Sequence, residues 1–259
     1  MTGLDRPLHG QPVPHDRLHP QLYLAEAAGT ALLVGVGLSL VIVFFGAGSP
    51  LVAWLPANAL RRVLTGACFG TVGALIAISP LGRISGAHIN PAVSLAFWLE
   101  GKLAWRDTLG YVLAQLLGAV IGALPLLLWG GMGRSINYAI THSGPQVPIA
   151  LAFGGEVLAT LALVLAIFIT SSHERTRRWT PWTIPPLFAW LNYWEAPLSG
   201  ASTNPARSLG PAVISGVWSE WWLYAIAPML GATLAIGLLR LNLIGRHQVT
   251  VARVARHDH

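Results

Sequence analysis

Apolar positions along the chain gather in long runs instead of alternating or marking one helical face. Six runs approach the roughly 20 residues that a helix needs to cross a bilayer: 21–46, 61–81, 105–129, 148–171, 180–197 and 221–241. The fifth is short and carries Pro185 and Pro186, so it predicts the least regular helix. Two further apolar pieces, 92–98 and 206–217, are too short to cross. The flanks 1–20 and 242–259 hold no apolar run and read as cytoplasmic tails, the first without the continuous stretch of a secretory signal. The pattern predicts an all-α membrane protein, with six transmembrane helices and two re-entrant half-helices in a single domain spanning 21–241.

Internal repetition sharpens this picture. Ser85-Gly86-Ala87-His88-Ile89-Asn90-Pro91-Ala92 returns as Ser199-Gly200-Ala201-Ser202-Thr203-Asn204-Pro205-Ala206. The run from Tyr111 to Ala119 returns at Tyr224 to Ala232, and Glu26 and Thr30 return as Glu156 and Thr160. Three markers therefore recur in the same order in halves 21–130 and 148–241. Each half has three crossings. An odd number turns the second copy upside down, which is an inverted internal repeat.

Composition agrees. Of 259 residues 54% are hydrophobic and 10% charged, and mean hydropathy is +0.58. That is too little charge for a water-facing surface, and enough where lipid covers the outside. A net charge of +6 would suggest nucleic acid in a soluble domain. Here it reflects arginine placed on one side of the membrane, so no nucleic-acid partner is expected. With the N-terminus inside, only Arg61, Arg62, Arg134 and Arg207 of the 16 Lys and Arg residues fall outside. The positive-inside rule then puts both termini in the cytoplasm. One cysteine, Cys68, excludes an internal disulfide, a cysteine zinc site and a Cys-x-x-Cys redox pair. No hydrolase or metalloprotease motif stands in a fitting context, so neither enzyme activity nor a metal or cofactor is expected.

Asn-Pro by itself marks a helix start, with Asn as N-cap and Pro at the first turn. Two copies in oppositely oriented halves, each before a helix too short to span, say more. Such half-helices would enter from opposite faces and meet near the midplane. Each N-terminus carries about half a positive charge and unpaired N–H groups, so the meeting point repels cations. The amides of Asn90 and Asn204 could donate to a passing oxygen. The backbone carbonyls of 86–88 and 200–202 are spare acceptors that must line a cavity or find protein partners.

On these two motifs, in register with six spans, the sequence resembles the aquaporin and glycerol-facilitator family, also called the major intrinsic proteins, over about residues 21–241. The resemblance implies a homotetramer with one pore per subunit in the plasma membrane, passing water and small neutral solutes and excluding protons and ions. It assigns the pore motifs to Asn90, Pro91, Ala92, Asn204, Pro205 and Ala206. It gives Arg207 and Ala201 to an outer constriction, and it makes Glu26 and Glu156 supports of the re-entrant loops. Gapless counting back from Asn204 adds Asn192 from the fifth helix. For the second helix, counting from Asn90 gives Gly70, whereas the Phe-Gly pair gives Phe69. The histidine common in strict water channels is absent at 192. Ser208, Ala212 and Tyr224 resemble the water branch, which lacks the Asp that the glycerol branch tends to place after the arginine; Ala225 departs from the tryptophan usual there.

Other residues admit plainer roles. His88 reads as a hydrogen-bonded strut in preference to a pH gate. Gly66 with Gly70, and Gly118 with Gly122, have the spacing of close helix packing. Glu195 reads as a carboxylate at the outer headgroup level, with a place at the pore mouth as the alternative. The tryptophans near the span ends read as interfacial belts. A competing class, a secondary transporter, would need Glu26 and Glu156 as its coupling groups.

Overall fold

The computed structural model describes residues 18–241, and both expected tails lie largely outside that range. Among the described residues all regular structure is helical. In chain order the helices are α1 (Pro20–Phe45), α2 (Pro50–Trp54), α3 (Asn58–Ile78), α4 (Pro80–Ser85), α5 (Pro91–Leu99), α6 (Trp105–Ala123), α7 (Gly130–Arg134), α8 (Ile149–Ser171), α9 (Thr180–Trp194), α10 (Ala196–Ser199), α11 (Pro205–Ser215) and α12 (Trp221–Arg240). A 3-10 segment, Leu124–Trp129, joins α6 to α7.

Among the described residues five stretches are long and apolar enough to cross a membrane: α1, α3, α6 continued through α7, α8 and α12. The fifth expected span is the exception. It is α9, only 15 residues long with Pro185 and Pro186 inside, and it falls below that length. It is extended instead by a 3-10 turn at Arg177–Trp179 and by α10. Nothing in the residue pattern marks α2, α4 and α10, because helices of one or two turns leave no periodicity to read. The glycine cluster at Gly130 to Gly133 forms the short helix α7.

The repeat is visible in the packing. The pair α1–α6 is matched by α8–α12, and α3 lies along α9 across the two halves. Each short helix crosses over, α5 onto α12 and α11 onto α6. The N-cap residues Asn90 of α5 and Asn204 of α11 sit against one another. From there the helices diverge to opposite ends of α12. Leu99, at the end of α5, accepts a hydrogen bond from Arg240 at the end of α12, whereas α11 runs into the turn that starts α12. The main core is built where these elements converge, from Val34 and Leu38 of α1, Phe69 of α3, Ala119 of α6, Phe188 of α9 and Ala206 of α11.

Outside that core the surface is apolar. Leu109, Leu113, Leu117, Ile121, Leu124 and Leu128 are exposed along one face of α6 and its extension. Their spacing is that of a helical stripe, and lipid is the medium in which it is stable. Hydrophobic driving force cannot then hold helix to helix, so close contact must. A Cβ on Gly118 would overlap the Ala27 carbonyl, and one on Gly122 the Ala31 carbonyl, both on α1. Gly66 and Gly70 meet α9 in the same way, at Phe188 O and Pro185 Cα.

Gly122→Ala is expected to lower the melting temperature in detergent by the equivalent of about 1–3 kcal/mol, the usual magnitude of overpacking. Gly237→Ala, where an added Cβ meets nothing within 4 Å, should leave it unchanged or raise it slightly. Equal melting temperatures for the two variants would show that the α1–α6 contact is not limiting.

Candidate functional site

Residues 86–90 and 200–204 are non-helical backbone in the middle of the protein, so their polar groups need internal partners. Both loops take the same sharp path. Gly86 (φ 87°) and Gly200 (φ 91°) open it. Ala87 and Ala201 (both φ 50°) follow, then Ile89 (φ 43°) and Thr203 (φ 52°). A β-branched residue in the left-handed region is strained by about 1–3 kcal/mol, and it persists only when its surroundings over-determine it.

The buried carboxylates supply that constraint. Glu26 accepts the His88 N–H at 2.9 Å and the Ile89 N–H at 2.6 Å. Glu156 accepts the Ser202 N–H at 2.6 Å and the Thr203 N–H at 2.8 Å. Neither carboxylate reaches solvent. Each loop is also held at its start by a tyrosine, Tyr111 donating to Ser85 O and Tyr224 to Ser199 O, both at 2.7 Å. His88 is braced by Ser94 Oγ at 3.2 Å from Nδ1 and stacks on Phe97 with ring centres 4.3 Å apart.

Asn90 and Asn204 each serve two elements at once. As N-caps, Asn90 Oδ1 accepts the Ala92 N–H at 2.9 Å, and Asn204 Oδ1 accepts those of Ala206 at 3.0 Å and Arg207 at 3.3 Å. Pro91 and Pro205 occupy the first helical position, where a missing N–H loses nothing. The amide nitrogens reach across the repeat. Asn90 Nδ2 donates to Thr203 O at 2.8 Å, and Asn204 Nδ2 to Ile89 O at 2.9 Å. Each amide has two hydrogens, so one on each side is committed to the opposite loop and one remains for a passing oxygen. Of the carbonyls expected to be spare, Ser202 O is taken by the Thr203 hydroxyl at 2.7 Å.

A cavity of about 350 Å³ opens beside the second loop, its polar lining including Arg62, Thr65, Asn137, Asn192 and Arg207. Arg207 is 6% exposed and its Nη1 donates to Ala139 O at 2.8 Å. Ala139 is itself in left-handed backbone, at φ 64°. Asn192 Nδ2 donates to Phe188 O in its own helix at 2.9 Å. Gly200 lines the cavity, whereas its neighbour Ala201 is buried and does not.

Neither expected helix-two residue reaches this cavity. Phe69 belongs to the core and stacks on Phe188 with centroids 5.7 Å apart. Gly70 faces Pro185. Thr65, one helical turn before Phe69, stands in the lining with Asn192. Counting from Asn90 failed because α3 ends at Ile78 and the chain makes a separate short helix, α4, before the loop. Arg62 of α3 and, from the connection after α7, Asn137 and Ala139 also line the cavity, and the sequence does not mark them, since their place depends on how that connection folds back over α3. Glu195 departs from the expected headgroup position: it is 5% exposed and touches Ser199, inside the protein.

The comparisons with known proteins agree on one grouping. The family model described as major intrinsic protein matches residues 19–239. Aquaporin-4 of Mus musculus is 35% identical over 82% of this chain, which spans 64% of that relative's length. The glycerol uptake facilitator protein-like 6 of Lactiplantibacillus plantarum is 31% identical over 82% of this chain and 94% of its own. The crystal structure of the aquaglyceroporin from Plasmodium falciparum shares the fold, with a TM-score of 0.72 at 20% identity over 85% of this chain and 94% of that one. With two inverted Asn-Pro-Ala half-helices at its centre and this match over nearly all the described residues, the chain belongs to the major intrinsic protein family.

Proposed function

We propose that the chain is a passive transmembrane channel that conducts water, admits small neutral solutes such as glycerol, and excludes protons and ions. The observation that carries this reading is the meeting of α5 and α11, N-terminus to N-terminus, at Asn90 and Asn204. Names among its relatives include both an aquaporin and a glycerol uptake facilitator. On this reading the protein works as a homotetramer in the plasma membrane with both termini cytoplasmic, which the one-sided distribution of arginine supports.

Charge accounts for the exclusion. The two helix ends contribute about half a unit each, and the Arg207 guanidinium adds a full unit. One unit charge about 4 Å away opposes a cation by about 4 kcal/mol at an effective dielectric of about 20. Since about 1.4 kcal/mol is tenfold in rate, that barrier alone slows cations by about a thousandfold. A water oxygen that accepts the free hydrogens of Asn90 and Asn204 has both lone pairs occupied and cannot relay a proton.

Selectivity among neutral solutes is set at the outer cavity. Thr65 stands where the second helix reaches it and Asn192 where the fifth does, so neither contributes an aromatic or imidazole ring. Both are polar, and with Arg207 they offer donors and acceptors to a hydroxylated solute while leaving room for it. Glu26 and Glu156 spend their oxygens on loop N–H groups, which favours structural support over solute coupling.

In proteoliposomes followed by stopped-flow light scattering, water is expected to permeate well above the protein-free rate, glycerol and urea more slowly, and protons not at all. Vesicles that shrink no faster than empty ones would end the channel reading. Arg207→Val should speed glycerol and urea severalfold while proton flux stays low, because the midplane charge remains. Unchanged glycerol and urea rates would remove Arg207 from the constriction. Thr65→Phe should do the reverse, slowing glycerol and urea more than water. Equal slowing of all three would show that Thr65 does not sort solutes by size.

A further inference from the structure

The surroundings of the two loop-supporting glutamates differ. In the first half, Glu26 receives a third donor, Gln115 Nε2 at 2.7 Å. The residue that corresponds to Gln115 in the second half is Pro228, which has no donor to give. In place of that amide the second half holds another acid. Glu195 ends α9 and turns its carboxyl inward, 5% exposed, toward Ser199 and Glu156. The space it fills is kept by Gly155 of α8, where an added Cβ would lie 2.9 Å from Glu195 Oε1.

The Ser199 hydroxyl cannot serve two ionised acids. Ser199 Oγ lies 2.7 Å from Glu156 Oε1 and also within hydrogen-bond reach of Glu195 Oε1. A hydroxyl has one hydrogen. If both carboxylates are charged, one of these contacts sets lone pair against lone pair. Glu156 already accepts two backbone N–H groups, as a carboxylate does. The remaining Glu195 oxygen, Oε2, is buried without a partner. That is tolerable for the carbonyl of a neutral acid and costly for half of an anion. Two other groups face the pair. The Ala201 N–H is turned toward Glu195. The Arg207 guanidinium of α11 sets its positive charge toward Glu156 and so favours that acid as the ionised one, while its Nη1 donates to Ala139 O and the Tyr224 phenol of α12 donates to Ser199 O.

We propose that Glu195 is a protonated carboxylic acid that donates through the Ser199 hydroxyl to the Glu156 carboxylate, and that this one shared proton positions the second re-entrant loop. The chain runs from Glu195 O–H to Ser199 Oγ and from Ser199 O–H to Glu156 Oε1. Glu195 and the cavity wall are one segment, because Ala196 and Gly200 both line the outer cavity. Releasing the proton to bulk water leaves two like charges on one hydroxyl. They push apart the start of the loop and the support that holds it, and the outer constriction deforms. Glu195 is thus a positioning residue. It touches no permeating solute, and it makes permeation sensitive to alkaline pH. The pH effect rests on the channel reading above; the protonation state does not.

The test has two arms on the full chain in lipid. Infrared spectra at neutral pH should show the C=O stretch of a protonated carboxyl in the wild type that is missing in Glu195→Gln. Identical spectra in that region would overturn the proposal whether or not the protein conducts. If the Gln variant fails to fold, Ser199→Ala is read instead. It removes the bridging hydroxyl, so the same band should shift in frequency, and an unshifted band counts against the shared proton. The second arm is osmotic water permeability from neutral to alkaline pH. A severalfold loss is expected in the wild type, with Glu195→Gln keeping its neutral-pH rate throughout. An equal loss in both would show that Glu195 is not the group that titrates.

Discussion

Everything at the centre of this protein depends on satisfying non-helical backbone where water is scarce. Each loop between a long helix and its half-helix presents N–H and C=O groups that a bilayer interior would leave unpaired, at several kcal/mol each. Glu26 and Glu156 take two N–H groups apiece, and the tyrosines and cross-repeat asparagines take carbonyls. The loops are therefore held in strained backbone by partners drawn from four different helices. Because Asn90 and Asn204 each bond the opposite loop, neither half can form its site alone.

This mutual bond also fixes the electrostatics. Half-helix ends repel cations only if their axes converge, and convergence is set by two hydrogen bonds of 2.8 and 2.9 Å. The same asparagines that cap the helices also keep one amide hydrogen each, so on the proposed channel reading cation barrier and solute donor coincide. The arrangement tolerates asymmetry at its edges. The second loop carries Arg207 and rests on a pair of acids, where the first loop rests on one acid and a glutamine.

Chemistry in the sequence that stands in fixed register was legible. Two copies of Ser-Gly-Ala-x-x-Asn-Pro-Ala, two intramembrane glutamates at matching places and six apolar runs led to the inverted repeat. They also marked Glu26 and Glu156 as supports of the loops. Such features are local or repeat at a near-constant interval, so no knowledge of packing is needed to find them. The glycines facing α1 were legible too, since a four-residue spacing alone puts two of them on one helix face.

What the sequence by itself determined was the set of long helices and re-entrant half-helices and the pairing of the two motifs, because hydrophobic length, helix caps and repetition are properties of the chain read in one dimension. Only the tertiary structure decided which side chains face the cavity beside the second loop. Phe69 and Gly70 were the two residues that counting could offer, and Thr65 stands there instead, because a break at Ser79 and the extra helix α4 change how much chain lies between helix and loop. Glu195 moved from an expected surface place to the interior for a related reason: α9 is short and turns into α10, carrying the carboxyl inward. Thr65 and Phe69 lie on the same face of α3, one turn and about 6 Å apart along its axis, so what separates cavity from core between them is depth. That depth is set by where the neighbouring helices and loops close over α3, which no count along the chain contains.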